Sequence, residues 1–236
     1  DFCPEGYTTI YDATEDSYTV INAVAKIGET YYATLSSAIA AVKNGETIEF
    51  IANINENVTI KQTANKSFTI DGAGKTYSAT ISIDGNKRST GKETLRIENV
   101  NFVAERELQT SIDAIKSTFV HNVTVDNCTF TGKDKKQYGM ILRNSYNISV
   151  KNTKAENVLE LVYGNRQSNN LIVENVEVNN SVRVAWLSYP DGAIFDRVKA
   201  KDVEEGVFLY NNSAAATTFS NCEFLASQTA IILDAK

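Results

Sequence analysis

The chain has 236 residues, with 23 Lys+Arg against 29 Asp+Glu and a formal charge of −6. That length supports one large domain with a substantial core, and the acidic balance argues against nucleic acid or an anionic membrane as the main partner, since both select a basic face. No run of 18 apolar residues occurs, so membrane insertion is not expected, and Asp1-Phe2-Cys3-Pro4 lacks the basic and apolar parts of an export signal, which is expected to have been removed or never present.

In chain order, residues 1–30, with Tyr7, Tyr11 and Tyr18, read as a separate leading segment, either a hairpin or the tail of a preceding module. Leu35, Ala38, Ile39 and Val42 then fall at i, i+3, i+4 and i+7. Thr34 stands where an N-cap belongs and Gly45 follows the last turn, which predicts an amphipathic helix of about three turns over residues 34–43. Short strands are predicted next at 47–51, 58–60, 68–70 and 81–83, with Asp71-Gly72 and Asp84-Gly85 as turns.

From residue 95 onward one phrase recurs: apolar-x-apolar-x-Asn-apolar-x-apolar. It begins as Leu95-Arg-Ile97-Glu-Asn99-Val100-Asn-Phe102 and Val123-Thr-Val125-Asp-Asn127-Cys128-Thr-Phe130, and it returns around Asn152, Asn175 and Asn221. Arg197 holds the Asn place in one copy, and the spacings are 28, 25, 23, 22 and 24. Between copies lies a second apolar phrase, in which Leu142, Tyr163, Leu187, Leu209 and Leu233 are taken as equivalent. Two phrases keeping one period mark an internal repeat of ~20–25 residues that cannot bury its own apolar face and must stack on its neighbours.

Leucine-rich repeats need a Leu frame that is absent here, and short-period β-helices do not tolerate spacings of 21 to 28. A single-stranded right-handed parallel β-helix with three strands per coil does, because extra residues leave as loops. The expected fold is therefore all-β over residues 31–236, with a short N-terminal capping α-helix covering the first coil. Asn, 24 residues in all, suits the turns because its short amide tolerates the left-handed conformation and bonds to its neighbours. A local change of turn is expected at Arg197.

The stretch Ala33-Thr34-Leu35-Ser-Ser-Ala38-Ile39-Ala-Ala-Val42-Lys-Asn-Gly45-Glu-Thr47-Ile48, followed by Asn57-Val58-Thr-Ile60 and Phe68-Thr-Ile70-Asp-Gly72, resembles the opening of pectin-lyase-like β-helix proteins. Val24-Ala-Lys-Ile27-Gly-Glu-Thr-Tyr31-Tyr-Ala-Thr-Leu35 is similar to modules of large surface proteins of gut bacteria. The resemblance implies a secreted or cell-surface location and a carbohydrate partner.

Enzymes of that superfold work over one parallel sheet, so the outward residues of the second phrase matter. With Leu142, Tyr163 and Leu187 inward, one outward row is Ile141, Val162, Trp186, Phe208 and Ile232, and the next contains Arg143 and Tyr210. These rows offer no carboxylate cluster for Ca²⁺ and no facing pair for hydrolysis. The candidate ligand-binding set is accordingly Ile141, Arg143, Val162, Trp186, Phe208, Tyr210 and Ile232, with no catalytic residue, metal or cofactor assigned. An exposed apolar strip marks a contact surface. Residues 1–30 or 132–138 covering it, sugars stacking on it, and a subunit interface are the three readings. The last leaves monomer or homotrimer open.

Other features carry less. His121 enters a strand with no second ligand at metal spacing and is expected in a surface turn. Asp202-Val-Glu204-Glu205 reads as a solvated loop. Seven sequons, at Asn57, Asn65, Asn122, Asn127, Asn147, Asn179 and Asn211, follow from Asn turns preceding strands. Cys128 and Cys222 hold the same repeat position four coils apart, ~19 Å at ~4.8 Å per coil, too far for a disulfide, so both are expected buried as free thiols. The leading functional expectation is a non-catalytic module for adhesion or glycan binding. The alternative is a lyase or hydrolase of acidic polysaccharide with Arg143 or Lys116 on its working face.

Overall fold

The apolar phrases form short strands because their Val, Ile and Phe alternate with polar residues, and each strand hydrogen-bonds in parallel to the equivalent strand of the next coil. A computed structural model describes residues 3–62, 66–85, 92–104, 113–210 and 216–234. Three long parallel sheets result. The first stacks Ile48, Ile70, Ile97, Val125, Val150, Val173, Phe195 and Phe219 in one inward row. The second runs from the bridge at Ile54 through Tyr77, Phe102, Phe130, Ala155, Val178 and Ala200 to Phe224. The third carries Val58, Ile81, Ile115, Met140, Val162, Ala185, Val207 and Ile231. This is a parallel β-helix with three strands per coil.

The inward rows fill the coil interior. Val100, Phe102, Val125, Cys128, Phe130, Val150, Val173, Val176, Val178, Leu142, Leu187 and Leu209 are all buried. Each full burial of such a side chain stabilises by about 1.5–3 kcal/mol, so the stack is the main source of cohesion. Phe219, Cys222 and Phe224 are only half-buried and Leu233 is 67% exposed, against the expectation of core. They lie in the last described coil, where Glu223–Asp234 pairs with Ile194–Tyr210 on one side and no described strand covers the other. The cysteines are free thiols; burial pushes that of Cys128 up to about 12.

The corner after the first sheet explains the asparagines. Asn99, Asn127, Asn152, Asn175 and Asn221 all have φ between +48° and +56°, the left-handed region that Asn tolerates. Their amides bond upward from coil to coil. Asn127 Nδ2 donates to Asn99 Oδ1 at 2.7 Å, Asn175 to Asn152 at 2.7 Å, and Asn152 to Asp126 Oδ1 at 2.8 Å. Arg197 keeps the same turn at φ +52° instead of changing it. The stacked coils on both sides dictate the backbone there, and the guanidinium turns out to Glu174 and Asp196. Two further ladders, Asn122–Asn147–Asn170 and Asn157–Asn180, line other corners. Glycine is required at Gly85 for a different reason: a Cβ there would lie 2.0 Å from the Phe119 carbonyl oxygen.

The helix, α1, spans Leu35–Ala41, two turns rather than three, because Val42 already leaves helical geometry at ψ 136°. Thr34 caps it, its Oγ1 accepting the Ser37 N–H at 3.1 Å. The Glu56 carboxylate accepts the N–H groups of Leu35 and Ser36, a favourable place for an anion. Leu35, Ala38 and Val42 are buried against the first coil. Before it, Tyr7–Asp12 and Ser17–Asn22 form a separate antiparallel hairpin. Ala25–Ile27 pairs antiparallel with Thr47–Phe50, so the large sheet begins ahead of residue 31. The sequons at Asn65 and Asn211 lie outside the described residues.

Candidate functional site

The outer face of the third sheet is built from the strands Asp113–Thr118, Tyr138–Lys151, Glu160–Asn169, Arg183–Ser188, Ile194–Tyr210 and Glu223–Asp234. Their register aligns Lys116, Ile141, Tyr163, Trp186, Phe208 and Ile232 in one outward row. Tyr163, Trp186 and Phe208 are each partly exposed, and Tyr138 leans onto the row from one side. Ring centroids are 5.1 Å apart for Tyr138–Tyr163, 5.0 Å for Tyr163–Trp186 and 6.0 Å for Trp186–Phe208. At those separations and at angles of 14–41° the rings overlap as offset shingles, each supporting the next. Tyr210 stacks on Trp186 at 6.2 Å, and Tyr189 meets Tyr210 edge-on.

A charged row flanks these rings. Tyr138, Glu160, Arg183 and Glu205 are register partners in successive coils. Arg183 Nη1 donates to Glu160 Oε1 at 2.6 Å and its Nε donates to Glu205, while the guanidinium carbon sits 5.8 Å from the Phe208 ring centroid. Glu160 is 3% exposed, and its Oε2 has no hydrogen-bond partner. Burial pushes this carboxyl up to about 7, against the pull of Arg183. Asp113, one coil before Tyr138, also holds a buried oxygen without a partner, and burial raises it to about 6 although Lys116 and Arg143 pull it down. Burial and then Glu160 raise the phenols of Tyr138 and Tyr163. The face therefore offers ring surface, guanidinium donors and two carboxyl groups able to carry protons near neutrality. Among the described residues no three His, Cys, Asp or Glu are disposed to hold a metal ion.

A family profile described as "Right handed beta helix region" matches residues 37–235. The chain belongs to that family. Its coils are accordingly right-handed. Among solved structures, this β-helix is similar to a polygalacturonase from Erwinia carotovora ssp. carotovora, with 11% identity, a TM-score of 0.42, and 86% of this chain and 93% of that chain covered. No curated protein matches.

The β-helix places Trp186, Phe208 and Ile232 outward in one row, with Arg143 and Tyr210 in the next. Ile141 shares the Trp186 row but is 5% exposed. Val162 is a correction: it points inward, and Tyr163 takes its place outside. The slip arises because Asn144 and Asn165 look equivalent, whereas Asn165 pairs with Arg143 and the register shifts just after it. Gly164 then occupies the inward position of Leu142 and Leu187, where no apolar side chain announces it. That slip also hid Glu160, whose signal was a charged residue beginning an otherwise apolar strand, and Asp113, whose strand carries no full copy of the repeat.

His121 is likewise not in a surface turn. It is 5% exposed, with Nε2 3.2 Å from Glu93 Oε2 and its backbone N–H donated to Gln62. Both partners come from other coils, which no local pattern shows. Asp202–Glu205 is not a solvated loop either: it lies within the strand Ile194–Tyr210, where Asp202 is exposed at φ +55°, Val203 is buried and Glu205 faces Arg183.

Proposed function

We propose that this β-helix binds an extended polysaccharide along the outer face of its third sheet without altering it, as a glycan-binding or adhesion module of a secreted or cell-surface protein. The observation that carries the reading is the partly exposed row Tyr163–Trp186–Phe208, in register from coil to coil, with the Tyr138 ring stacked on its end from the neighbouring row. Aromatic rows recurring at the coil repeat of ~4.8 Å are commensurate with an extended sugar chain, whose units are of similar length. Rings with polar edges suit ligands that are apolar on one side and hydroxylated on the other. Arg143 and Arg183 supply donors beside them. No helix among the described residues is long and apolar enough to cross a membrane, and the proposal calls for neither nucleic acid nor membrane insertion.

The test is affinity electrophoresis of the purified protein through gels carrying xylan, glucomannan, mixed-linkage glucan or polygalacturonate. Retardation by one of them that is lost in Trp186→Ala supports the reading; migration unchanged in every gel overturns it. Sedimentation distinguishes monomer from homotrimer.

A second reading, a carbohydrate-active enzyme acting on an acidic polysaccharide, is favoured by one observation. Asp113 and Glu160 stand two coils apart, ~10 Å along the axis, comparable to the wider separation of two carboxyl groups that cleave glycosides with inversion. Sustained release of reducing or unsaturated ends from polyuronates would establish it and displace the first.

A further inference from the structure

Glu160, Arg183 and Glu205 form a bonded triad of two carboxylates around one guanidinium, which leaves one negative charge in excess when both acids are ionised. The two acids are not equivalent. The Glu205 side chain is 17% exposed and the Glu160 side chain 4%. Burial therefore penalises the charged form of Glu160, and the surplus charge of the triad is removed by a proton there. Other charged and titratable groups around Glu160 are the phenols of Tyr138 on the preceding strand and Tyr163 on its own, with Arg143 and Asp113 beyond them. The Tyr phenols add no positive charge that would hold a second carboxylate ionised. Glu160 Oε1 is engaged by Arg183, and Oε2 is left with no partner although it is buried beside the ring row.

We propose that Glu160 is a ligand-binding residue of this face, held as a neutral carboxylic acid whose Oε2–H is donated to a hydroxyl or ring oxygen of the bound glycan. The inference rests on the glycan-binding reading above and adds to it the chemical state of one group. Oε2 is itself enclosed, so a ligand that moves the Tyr138 and Tyr163 rings aside far enough to reach it supplies the missing acceptor and keeps water out of the opened site. Both effects favour the protonated form, so binding takes up a proton once the pH exceeds the range of the free group. Affinity is then flat below about 7 and falls by about tenfold per pH unit above it.

The experiment has two arms on the whole chain. In the first, the Glu carboxyl carbons are labelled with ¹³C and titrated without ligand, with Glu160→Gln identifying the resonance. Titration near 7, moving lower in Glu205→Gln because Arg183 then serves Glu160 alone, supports the proposal. Titration in the ordinary carboxylate range overturns it whatever the glycan results. In the second arm, the binding of xylohexaose, cellohexaose and polygalacturonate is measured calorimetrically from pH 5.5 to 9. Glu160→Gln keeps an N–H donor and no charge, so its affinity should not depend on pH above 7 and should exceed the wild type by about tenfold at pH 8. Asp113→Asn should retain the wild-type slope. Wild-type binding that is flat in pH overturns the role of Glu160 and leaves glycan binding standing. Absence of binding to any probe at any pH overturns glycan binding and the donor role with it, while the titration arm still fixes the state of Glu160.

Discussion

The outer faces of the first and third sheets share one scaffold and differ in how they treat charge. On the first sheet a row of acids, including Glu49, Asp71, Glu98, Asp126, Glu174 and Asp196, runs along the axis, and partners are found within the face. Lys26 meets Glu49 at 3.3 Å, Arg96 bridges Glu98 and Asp126, and Lys151 and Arg197 share Glu174. Asp126 lies below the usual carboxylate range: burial raises it, but hydrogen bonds from Asn152 and Arg96 more than offset that. Hydrogen bonds from Lys151 and Arg197 lower Glu174, and those from Ser220 and Asn221 lower Asp196. On the third sheet the carboxyl groups of buried Glu160 and half-buried Asp113 are raised, each with one enclosed oxygen unpartnered, beside partly exposed rings. Folding alone favours the first arrangement, since unmade hydrogen bonds in buried groups cost about 1–3 kcal/mol each. The third sheet carries a cost that its own packing does not offset, and the proposal above assigns that cost to the binding of a glycan.

The inside, by contrast, is shared by all three sheets, and the largest effect is expected there. Val150 is 0% exposed and lies between Val125 and Val173. Val150→Asp buries a carboxylate with no partner, which costs about 4 kcal/mol or more and should abolish soluble expression. Thr124→Asp, outward on the neighbouring coil and beside Arg96, should change the melting temperature little. Equal damage from both would mean that the inside and outside of the first sheet have been exchanged.

The next effect separates the two outer faces by pH. A carboxyl whose folded pKa is raised weakens the fold above its unfolded value and ceases to do so as the pH falls toward that value. For Glu160, raised from 4.5 to about 7, the penalty is of the order of 3 kcal/mol above pH 7 and vanishes near pH 4.5. Glu160→Gln should therefore melt higher than the wild type at pH 8 and lose that advantage by pH 5. The lowered acids of the first sheet act in the opposite sense: their stabilisation is present above the unfolded pKa and lost as the pH falls through the folded one. Asp126→Asn should accordingly destabilise at pH 7 and approach neutrality in acid.

A third effect tests the corner between sheets. Asn152 combines φ +48° with a bond to Asp126 and one from Asn175. Asn152→Ala should cost about 1–2 kcal/mol, and Asn152→Gly, free of the left-handed penalty, should cost less. Chemical denaturation of the two variants reads the difference.

Much of this scaffold was legible because period-2 alternation and a repeat of ~20–25 residues leave direct traces in sequence. Val100, Val125, Val173 and the Asn turns are visible because every coil must solve the same packing problem at the same position. The third-sheet site was legible only in part. Trp186 and Phe208 stand out as large outward residues, but one shifted register hid Tyr163 behind Val162. Glu160 and Asp113 draw their character from Arg183, Glu205, Lys116 and Arg143, contributed mostly by other coils. No alternation rule encodes burial produced by neighbouring coils, and His121 with Glu93 was hidden in the same way.

The smallest expected effect falls where the two principles of the first face meet. Arg197 occupies the left-handed corner that Asn holds in the other copies, and its guanidinium is about half exposed between Glu174 and Asp196. Arg197→Asn gains a residue better suited to φ +52°, by up to about 1 kcal/mol. It loses two solvent-screened ion pairs, worth about 0–1 kcal/mol each. The terms nearly cancel at low salt, so the variant should melt within a few degrees of the wild type. Added salt weakens the ion pairs and leaves the backbone preference untouched. At 1 M NaCl the variant should therefore be the more stable of the two. A wild type that keeps or widens its lead as salt is added would show that the corner at Arg197 is held by more than the geometry of its turn.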